Sequence, residues 1–269
     1  MLIDSHAHLD DPQLAAERAA VLARAAAAGV SAVVTIGTDP ASWLATVELL
    51  AQPAPLALYA AVGLHPNSAM AWDDAAAATL RALAREPRVV AIGEIGLDYY
   101  RDRAPRPVQH RVLEAQLALA ADLGRPVVIH NREAHDDLLA IIAPWAARLP
   151  RPAGVMHCFA GDLPFARRCL DLGFLVSFAG PLTYRSAETL RAVAAALPLD
   201  ALLVETDAPY LAPAPRRGSR NEPAYVRATA EALAAVRGLP FDAIAAATAA
   251  NAARLFDLPA DLMAEREGA

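Results

Sequence analysis

Short apolar runs alternate with longer stretches of helical periodicity along the whole chain. Several of the short runs, such as AVVTI (residues 32–36) and ALLV (residues 201–204), are almost entirely apolar. Continuous runs of this kind are typical of strands buried on both faces of a parallel sheet. The helical stretches end at glycines such as Gly29, Gly124 and Gly173, and glycine commonly terminates helices. The pattern predicts strands and helices in alternation.

The alternation contains eight β–α units. The predicted strands are LIDS, VSAVVTIG, LALYAAVG, RVVAIGE, PVVIH, AGVMHC, FLVSF and ALLVETD. The predicted helices cover residues 14–28, 42–51, 75–85, 108–123, 133–148, 163–172, 187–197, 222–237 and 241–255. Eight units in 269 residues indicate an α/β fold, a closed (β/α)8 TIM-type barrel, with a single domain over residues 1–269. A doubly wound open sheet is the alternative.

Composition and charge narrow the class of protein. The net charge is -6 and the sequence pI is about 5.6, so no global positive field attracts nucleic acid, and any such substrate must be bound locally. All 24 basic residues are arginine, and there are only two cysteines, too few for a disulfide framework. The N-terminus lacks a signal-peptide pattern, and no apolar run approaches membrane-spanning length. We expect a cytoplasmic protein without a membrane or obligate protein partner.

Six histidines and acids stand at or just beyond the ends of predicted strands, although they are scattered over two hundred positions. The carboxyl ends of all strands in a parallel barrel lie on one rim, so these side chains are expected to converge. They are His6, His8, Glu94, His130, His157 and Asp207. Taken singly, each has an ordinary structural interpretation, such as a core histidine or a carboxylate that caps a turn.

The types and spacing of these side chains predict metal binding. Alternate residues of a strand point the same way, so His6 and His8 can present both imidazoles to one ion. Imidazole and carboxylate together suit zinc, manganese, iron or nickel ions, and Mg²⁺ where carboxylate and water dominate. Six ligands exceed what one catalytic zinc ion needs. We therefore predict two divalent metal ions, with Glu94 as the bridging carboxylate.

Ordered motifs along nearly the whole chain resemble the TatD family of metal-dependent deoxyribonucleases, within the amidohydrolase-like barrels. The motifs are DSHAHLD (4–10), GLHP (63–66), GEIGLDYY (93–100), IHNREA (129–134), HCFAG (157–161), ETDAPYLAP (205–213), RGSRNEP (217–223) and NAARLF (251–256). The resemblance implies that His6, His8, Glu94 and Asp207 bind one ion, and that Glu94, His130 and His157 serve a second. It also implies exonucleolytic hydrolysis of DNA at single-stranded or frayed ends, a role in DNA repair, and Mg²⁺, Mn²⁺ or Zn²⁺ as the ions.

Two departures from the family pattern bear on substrate binding. The family often has serine where this chain has Ala160, and lysine where it has Ser219. A polar contact and a basic phosphate contact are therefore expected to be missing here, and the arginines of the same loop are candidates to replace them.

Catalytic and substrate-binding roles follow from the chemistry of the remaining residues. Asp207 is the candidate general base, and Glu94 a weaker one because bridging occupies its lone pairs. Arginine binds phosphate in a bidentate manner and tyrosine stacks on bases. The candidate substrate contacts are His65, Tyr99, Arg132, Arg216, Arg217 and Arg220, with Tyr100 as a further stacking residue. We expect His110 and His135 on the surfaces of helices.

Two other functional classes remain as alternatives. The first is a different hydrolase on the same scaffold, such as an amidase, a cyclic-imide or lactone hydrolase, or a D-aminoacyl-tRNA deacylase. Many amidohydrolase-like enzymes bridge two metals with a carboxylated lysine, and this chain has no lysine, which favours a Glu94 bridge. The second is a non-catalytic scaffold that binds metal or nucleic acid; the full set of candidate ligands and the candidate base argue against it.

Overall fold

Eight parallel strands follow one another around a barrel in the order in which they occur in the chain. The computed structural model describes residues 1–149, 152–259 and 262. The strands are β1 (Leu2–Ala7), β2 (Val30–Gly37), β3 (Ala57–Val62), β4 (Val89–Asp98), β5 (Val127–Arg132), β6 (Gly154–Met156), β7 (Phe174–Phe178) and β8 (Leu202–Val204). The sequential order confirms the (β/α)8 TIM-type barrel and excludes a doubly wound sheet, whose strand order reverses at a switch point.

The barrel closes between β1 and the segment that follows β8. The amide of His8 donates to the carbonyl of Ala208 at 2.7 Å, and the amide of Asp207 donates to the carbonyl of His6 at 2.9 Å. Ala7 and Ala208 form an isolated parallel bridge. The closure therefore places His6 and His8 beside Asp207, two hundred residues further along the chain.

The helices of the described part of the chain pack around the barrel, and most begin and end within about two residues of the predicted positions. They are α1 (Pro12–Ala15), α2 (Arg18–Ala27), α3 (Pro40–Leu50), α4 (Asp74–Leu83), α5 (Arg106–Leu123), α6 (His135–Ala146), α7 (Leu163–Asp171), α8 (Glu188–Ala196), α9 (Val226–Arg237) and α10 (Phe241–Phe256). The first predicted helix is in fact two helices. Gly29, Gly124 and Gly173 have φ angles of 88°, 62° and 87°, which confirms their place after helix ends.

Strand β4 extends four residues beyond the predicted end at Glu94 and reaches Asp98. The predicted end at Glu94 was therefore wrong, because two glycines interrupt the apolar run although the strand continues through them. A Cβ on Gly96 would lie 1.9 Å from the carbonyl oxygen of His130, and one on Gly93 would lie 2.5 Å from the Cβ of Val128. The glycines thus permit close approach of β5 rather than ending β4. Similarly, β5 continues past His130 to Arg132.

Two clusters of buried side chains stabilise the barrel. The larger cluster joins strand residues such as Ile92 and Phe178 to the surrounding helices. The smaller cluster combines Ile3 and Val34 of the strands with Phe256 of α10. Of the predicted domain over residues 1–269, residues 150, 151, 260, 261 and 263–269 lie outside the described residues.

Within the described ranges no single helix has both the length and the apolarity needed to cross a membrane. The segments Pro223–Arg237 and Phe241–Phe256 meet the requirement only as a pair, and a bend of 113° separates them.

Candidate metal centre

The first half of the centre contains His6, His8 and Asp207, and we call it the β1–β8 half. The Nε2 atoms of His6 and His8 lie 3.3 Å apart. Asp207 Oδ1 lies 3.6 Å from Nε2 of His6 and 3.3 Å from Nε2 of His8. Two ring nitrogens that point towards each other and towards one carboxylate oxygen have the arrangement of ligands around a shared cation. The donor set fits Zn²⁺, Mn²⁺ or Mg²⁺.

The second half contains His130 and His157, and we call it the β5–β6 half. His130 lies within β5, and His157 directly follows β6. Glu94 Oε1 is 2.6 Å from Nδ1 of His130 and 2.8 Å from Nε2 of His157. One carboxylate oxygen and two imidazoles therefore form a second group with metal-ligand chemistry.

Glu94 lies between the two halves. While its Oε1 faces His130 and His157, its Oε2 is 3.5 Å from Nε2 of His6 and 4.0 Å from Nε2 of His8. Burial alone would raise the pKa of Glu94, but His157 and the other surrounding imidazoles hold it well below its usual range. The carboxylate is therefore ionised, with one oxygen directed at each half, as a bridging ligand requires.

Buried carboxylates orient the imidazoles of the β5–β6 half through the ring nitrogens that point away from Glu94. Nδ1 of His157 is 3.2 Å from Oε1 of Glu205, and Nε2 of His130 is 3.3 Å from Oδ2 of Asp98. Such partners fix the tautomer of a ligand histidine and raise its basicity. Burial opposes protonation of both imidazoles, but the neighbouring carboxylates raise the pKa of His157 and of His130.

In the β1–β8 half, no described carboxylate forms a hydrogen bond with the distal ring nitrogen of either imidazole. Nδ1 of His8 lies 3.3 Å from the carbonyl oxygen of Ile36, and Nδ1 of His6 is buried without a hydrogen-bond partner among the described residues. Burial lowers the pKa of His6. It also acts to lower that of His8, but the hydrogen bond with Asp207 raises the pKa of His8 to about 9.

Asp4 and Thr206 connect the strands that carry the β1–β8 half. The Thr206 hydroxyl donates to Asp4 Oδ2 at 2.6 Å, and its amide donates to Asp4 Oδ1 at 2.9 Å. Asp4 is fully buried, which raises its pKa to about 8. This pair holds Asp207 next to β1, a role that the sequence did not reveal.

His65 lies against the centre from the segment after β3. Its Nε2 is 3.5 Å from Oε1 of Glu94, and its Nδ1 accepts a hydrogen bond from the amide of Asn67 at 3.0 Å. Burial lowers the pKa of His65 to about 3. The imidazole is therefore neutral, and with Nδ1 accepting it carries its hydrogen on Nε2, which faces the centre.

The candidate substrate arginines have different surroundings. Arg132, at the end of β5, places its Cζ 4.4 Å from the centroid of the Tyr100 ring. Two arginines of the segment between β8 and α9 pack against other tyrosine rings. Arg216 packs over Tyr225 at 4.5 Å, and Arg217 over Tyr184 at 4.6 Å.

Arg220 and Tyr99 make polar contacts within the chain. Arg220 donates to Oε2 of Glu17 at 2.9 Å. The hydroxyl of Tyr99 is 2.5 Å both from Nε2 of His110 and from Oδ2 of Asp137, and Arg106 covers its ring at 4.0 Å.

The expectation of surface placement for the two helical histidines was only partly correct. Both are half-buried, because His110 contacts Tyr99 and the ring of His135 packs on Phe165 with a centroid distance of 4.2 Å.

Comparison with known proteins places this geometry in a family. The family model described as TatD related DNase matches residues 3–257. The chain belongs to the TatD family. This membership confirms the resemblance inferred from the sequence motifs.

Relatives and solved structures agree with this assignment over almost the entire length. The chain is 40% identical over 256 residues to the protein of Bacillus subtilis named "Uncharacterized metal-dependent hydrolase YabD", covering 95% of this chain and 99% of that protein. It is 39% identical over 262 residues to the "3'-5' ssDNA/RNA exonuclease TatD" of Erwinia tasmaniensis, covering 96% and 100%. The crystal structure of YjjV, a TatD homologue from Escherichia coli, superposes with a TM-score of 0.90 at 36% identity, covering 96% and 98%. The chain is thus a member of a family of metal-dependent hydrolases.

Proposed function

We propose that this TatD-family chain hydrolyses phosphodiester bonds of DNA and removes nucleotides from single-stranded or frayed ends. The observation that carries the proposal is Glu94, whose two oxygens face two different pairs of imidazoles at 2.6 to 4.0 Å. A carboxylate shared in this way supports a pair of divalent ions, the arrangement used in many phosphodiester-cleaving enzymes. The name of the Erwinia tasmaniensis relative supports a nucleic-acid substrate.

The residues present fit two divalent ions, for which Mg²⁺, Mn²⁺ and Zn²⁺ are the candidates. His6, His8 and Asp207 would hold one ion, His130 and His157 the other, and Glu94 both. When bound, such ions supply Lewis-acid chemistry that acidifies water and offsets negative charge on the phosphoryl oxygens.

The chain's own residues position the substrate and move the proton. Burial opposes ionisation of Asp207, but His8 and His6 hold its pKa below the usual range, so the carboxylate is ionised and accepts the proton of the attacking water as general base. Neutral His65 donates its Nε2 hydrogen to a phosphoryl oxygen. The guanidinium of Arg132, two residues beyond His130 on β5, binds a further phosphate oxygen.

A panel of substrates tests the proposal against the two alternatives. Metal-stripped protein is reloaded with Mg²⁺, Mn²⁺ or Zn²⁺ and assayed on end-labelled single-stranded DNA, blunt duplex DNA and a D-aminoacyl-tRNA. We expect stepwise release of nucleotides from single-stranded DNA and slower cleavage of the duplex. Cleavage of the aminoacyl ester alone would establish the deacylase instead, and no turnover on any of these substrates would reject the proposed nuclease in favour of a different hydrolase or a non-catalytic scaffold.

The variant Asp207→Asn tests the catalytic base. We expect a fall in kcat of about 100-fold or more, within the range for loss of a general base, with an unchanged circular dichroism spectrum. The matched control is Asp122→Asn, which removes an exposed carboxylate paired with Arg81 at 2.9 Å and should retain full activity. Equal rates for Asp207→Asn and the parent protein would contradict the assignment. The role in DNA repair and the cytoplasmic location stay predictions.

A further inference from the structure

Exposed aromatic rings are concentrated beside the metal centre. Tyr100 and Tyr210, 55% and 48% exposed, are the only aromatic side chains among the large exposed apolar residues of the described chain. Tyr100 follows β4 and Tyr210 follows β8, so both lie on the rim that carries the metal ligands. The hydroxyl of Tyr210 donates a hydrogen bond to Asp11 at 2.7 Å. The ring of Tyr100, by contrast, packs against the guanidinium of Arg132.

Asp98 fixes Tyr100 next to a ligand of the centre. Its Oδ1 accepts hydrogen bonds from the amides of Tyr100 at 3.0 Å and Arg101 at 2.7 Å. Its Oδ2 is 3.3 Å from Nε2 of His130. One carboxylate thus joins the turn that presents the ring to the imidazole of the β5–β6 half.

Arginine supplies positive charge at the same place. Arg132 is two residues beyond His130 on β5, so its side chain leaves the same face of the strand about 6.6 Å nearer the rim. Its Cζ lies 4.4 Å from the centroid of the Tyr100 ring, and that of Arg101 lies at 5.9 Å. A guanidinium packed against an exposed aromatic ring offers a stacking surface and a phosphate-binding charge together.

We propose that Tyr100 and Arg132 form a base-stacking subsite for a nucleotide that adjoins the scissile phosphate of a single-stranded nucleic acid. The subsite rests on the proposed phosphodiesterase function and specifies how its strand is bound. Because every base has a π-face, stacking of this kind tolerates any sequence and acts equally on DNA and RNA. It also favours unpaired strands, since a base within a duplex cannot leave its stack without cost.

The test combines a change of the ring with removal of the base. Tyr100→Ala and the ring-retaining control Tyr100→Phe are assayed on single-stranded DNA and RNA of one sequence. They are also assayed on DNA with an abasic nucleotide on one or the other side of the terminal phosphodiester. For Tyr100→Ala we expect KM to rise about 5- to 100-fold on intact strands, with kcat changed less than about twofold. Tyr100→Phe should stay within about twofold of the parent protein on every substrate.

The abasic strands separate stacking from a general effect on the centre. At one of the two abasic positions, the parent protein should show a KM as high as that of Tyr100→Ala on the intact strand. On the strand with this abasic position, Tyr100→Ala should have the same KM as the parent protein. The subsite would be overturned, while phosphodiester cleavage stands, if Tyr100→Ala leaves the KM unchanged on intact strands. It would also be overturned if Tyr100→Ala raises the KM equally on the two abasic strands. Failure of the parent protein to cleave any single strand would instead reject the proposed function, and the subsite with it.

A parallel binding measurement uses Asp207→Asn, whose expected slow turnover should leave the labelled strand largely intact during the measurement. Fluorescence anisotropy of a labelled oligonucleotide should give a Kd about 5- to 100-fold higher when Tyr100→Ala is added to this background. Arg132→Lys, which keeps the charge but loses the planar guanidinium, should give a smaller increase. An unchanged Kd in both variants would overturn the subsite.

Discussion

The two halves of the metal centre share Glu94 but differ in the groups behind their imidazoles. In the β5–β6 half, ionisable carboxylates, Asp98 and Glu205, contact the distal ring nitrogens of the two histidines. In the β1–β8 half, the described partner of the distal nitrogen of His8 is the carbonyl of Ile36, and the nearest carboxylate oxygen to Nε2 of His8 is that of Asp207 on the opposite side of the ring.

This difference indicates how each half would hold a cation. The β1–β8 half would place the carboxylate of Asp207 among the ligands and so neutralise the charge directly. The β5–β6 half would rely on Glu94 as its carboxylate ligand and gain basicity for its imidazoles from the acids behind them. We therefore expect the β5–β6 half to depend strongly on side chains that never touch the ion.

Removal of the shared carboxylate should have the largest effect, because it weakens both halves at once. For Glu94→Gln we expect kcat to fall by more than about 100-fold, since the activated water loses its ions. The number of Mn²⁺ ions bound per chain, measured by equilibrium dialysis, should fall below that of the parent protein. Unchanged stoichiometry and rate would show that Glu94 is not a shared ligand.

Substitution of the buried acid behind His157 should weaken the β5–β6 half most, because Glu205 hydrogen-bonds His157 but lies near His6 without a hydrogen bond to it. Glu205→Gln keeps the shape but removes the charge, and we expect about 10- to 100-fold weaker binding of one ion, the usual cost of such a partner. The matched control is Glu17→Gln at an exposed carboxylate. Calorimetric titration should resolve one strongly weakened site and a second that changes less, whereas equal weakening of both would contradict the proposed division.

The stabilisation gained from metal should grow as pH rises. In the metal-free protein the Asp207 hydrogen bond, acting against burial, raises the pKa of His8 to about 9. Protonation of His8 therefore contributes stability that is complete below its unfolded pKa of about 6.5. That contribution is lost as pH rises through 9. A metal ion needs the neutral imidazole and must displace this proton. The increase in Tm on adding Mn²⁺ should accordingly become larger between pH 6.5 and 9. If this increase stays the same or becomes smaller over that range, the assignment of His8 as a ligand is contradicted.

The smallest effect is expected from Asn67, which helps to hold Asp98. Its Nδ2 donates to Oδ2 of Asp98 at 3.2 Å. Asn67→Ala should weaken the binding of the ion in the β5–β6 half by about fivefold, which corresponds to the loss of one hydrogen bond of about 1 kcal/mol. The same titration measures it, and an effect on the β1–β8 half instead would contradict the proposed connection.

The sequence predicted the barrel well because strand burial and helix-ending glycines are local signals. The β4 boundary failed because Gly93 and Gly96 serve close packing against β5, a tertiary contact that no local pattern distinguishes from a turn. The convergence of the six candidate ligands could be predicted because parallel strands bring their carboxyl ends to one rim.

The acids behind the ligands were missed although the spacing contained a signal. Asp98 lies four residues after Glu94 on the same strand, and Glu205 lies two residues before Asp207. Both spacings are even, and in a regular strand residues separated by an even number of positions lie on the same face. Their partners, however, lie on other strands, so the pairing with His130 and His157 was visible only in the folded chain.

Anomalous diffraction from crystals grown with Mn²⁺ tests the central claim most directly. We expect two peaks about 3.5 to 4 Å apart, one beside Oε2 of Glu94 with His6, His8 and Asp207, and one beside Oε1 with His130 and His157. A single peak on one side of Glu94, or peaks that leave Glu94 without contact, would contradict a centre built on this shared carboxylate.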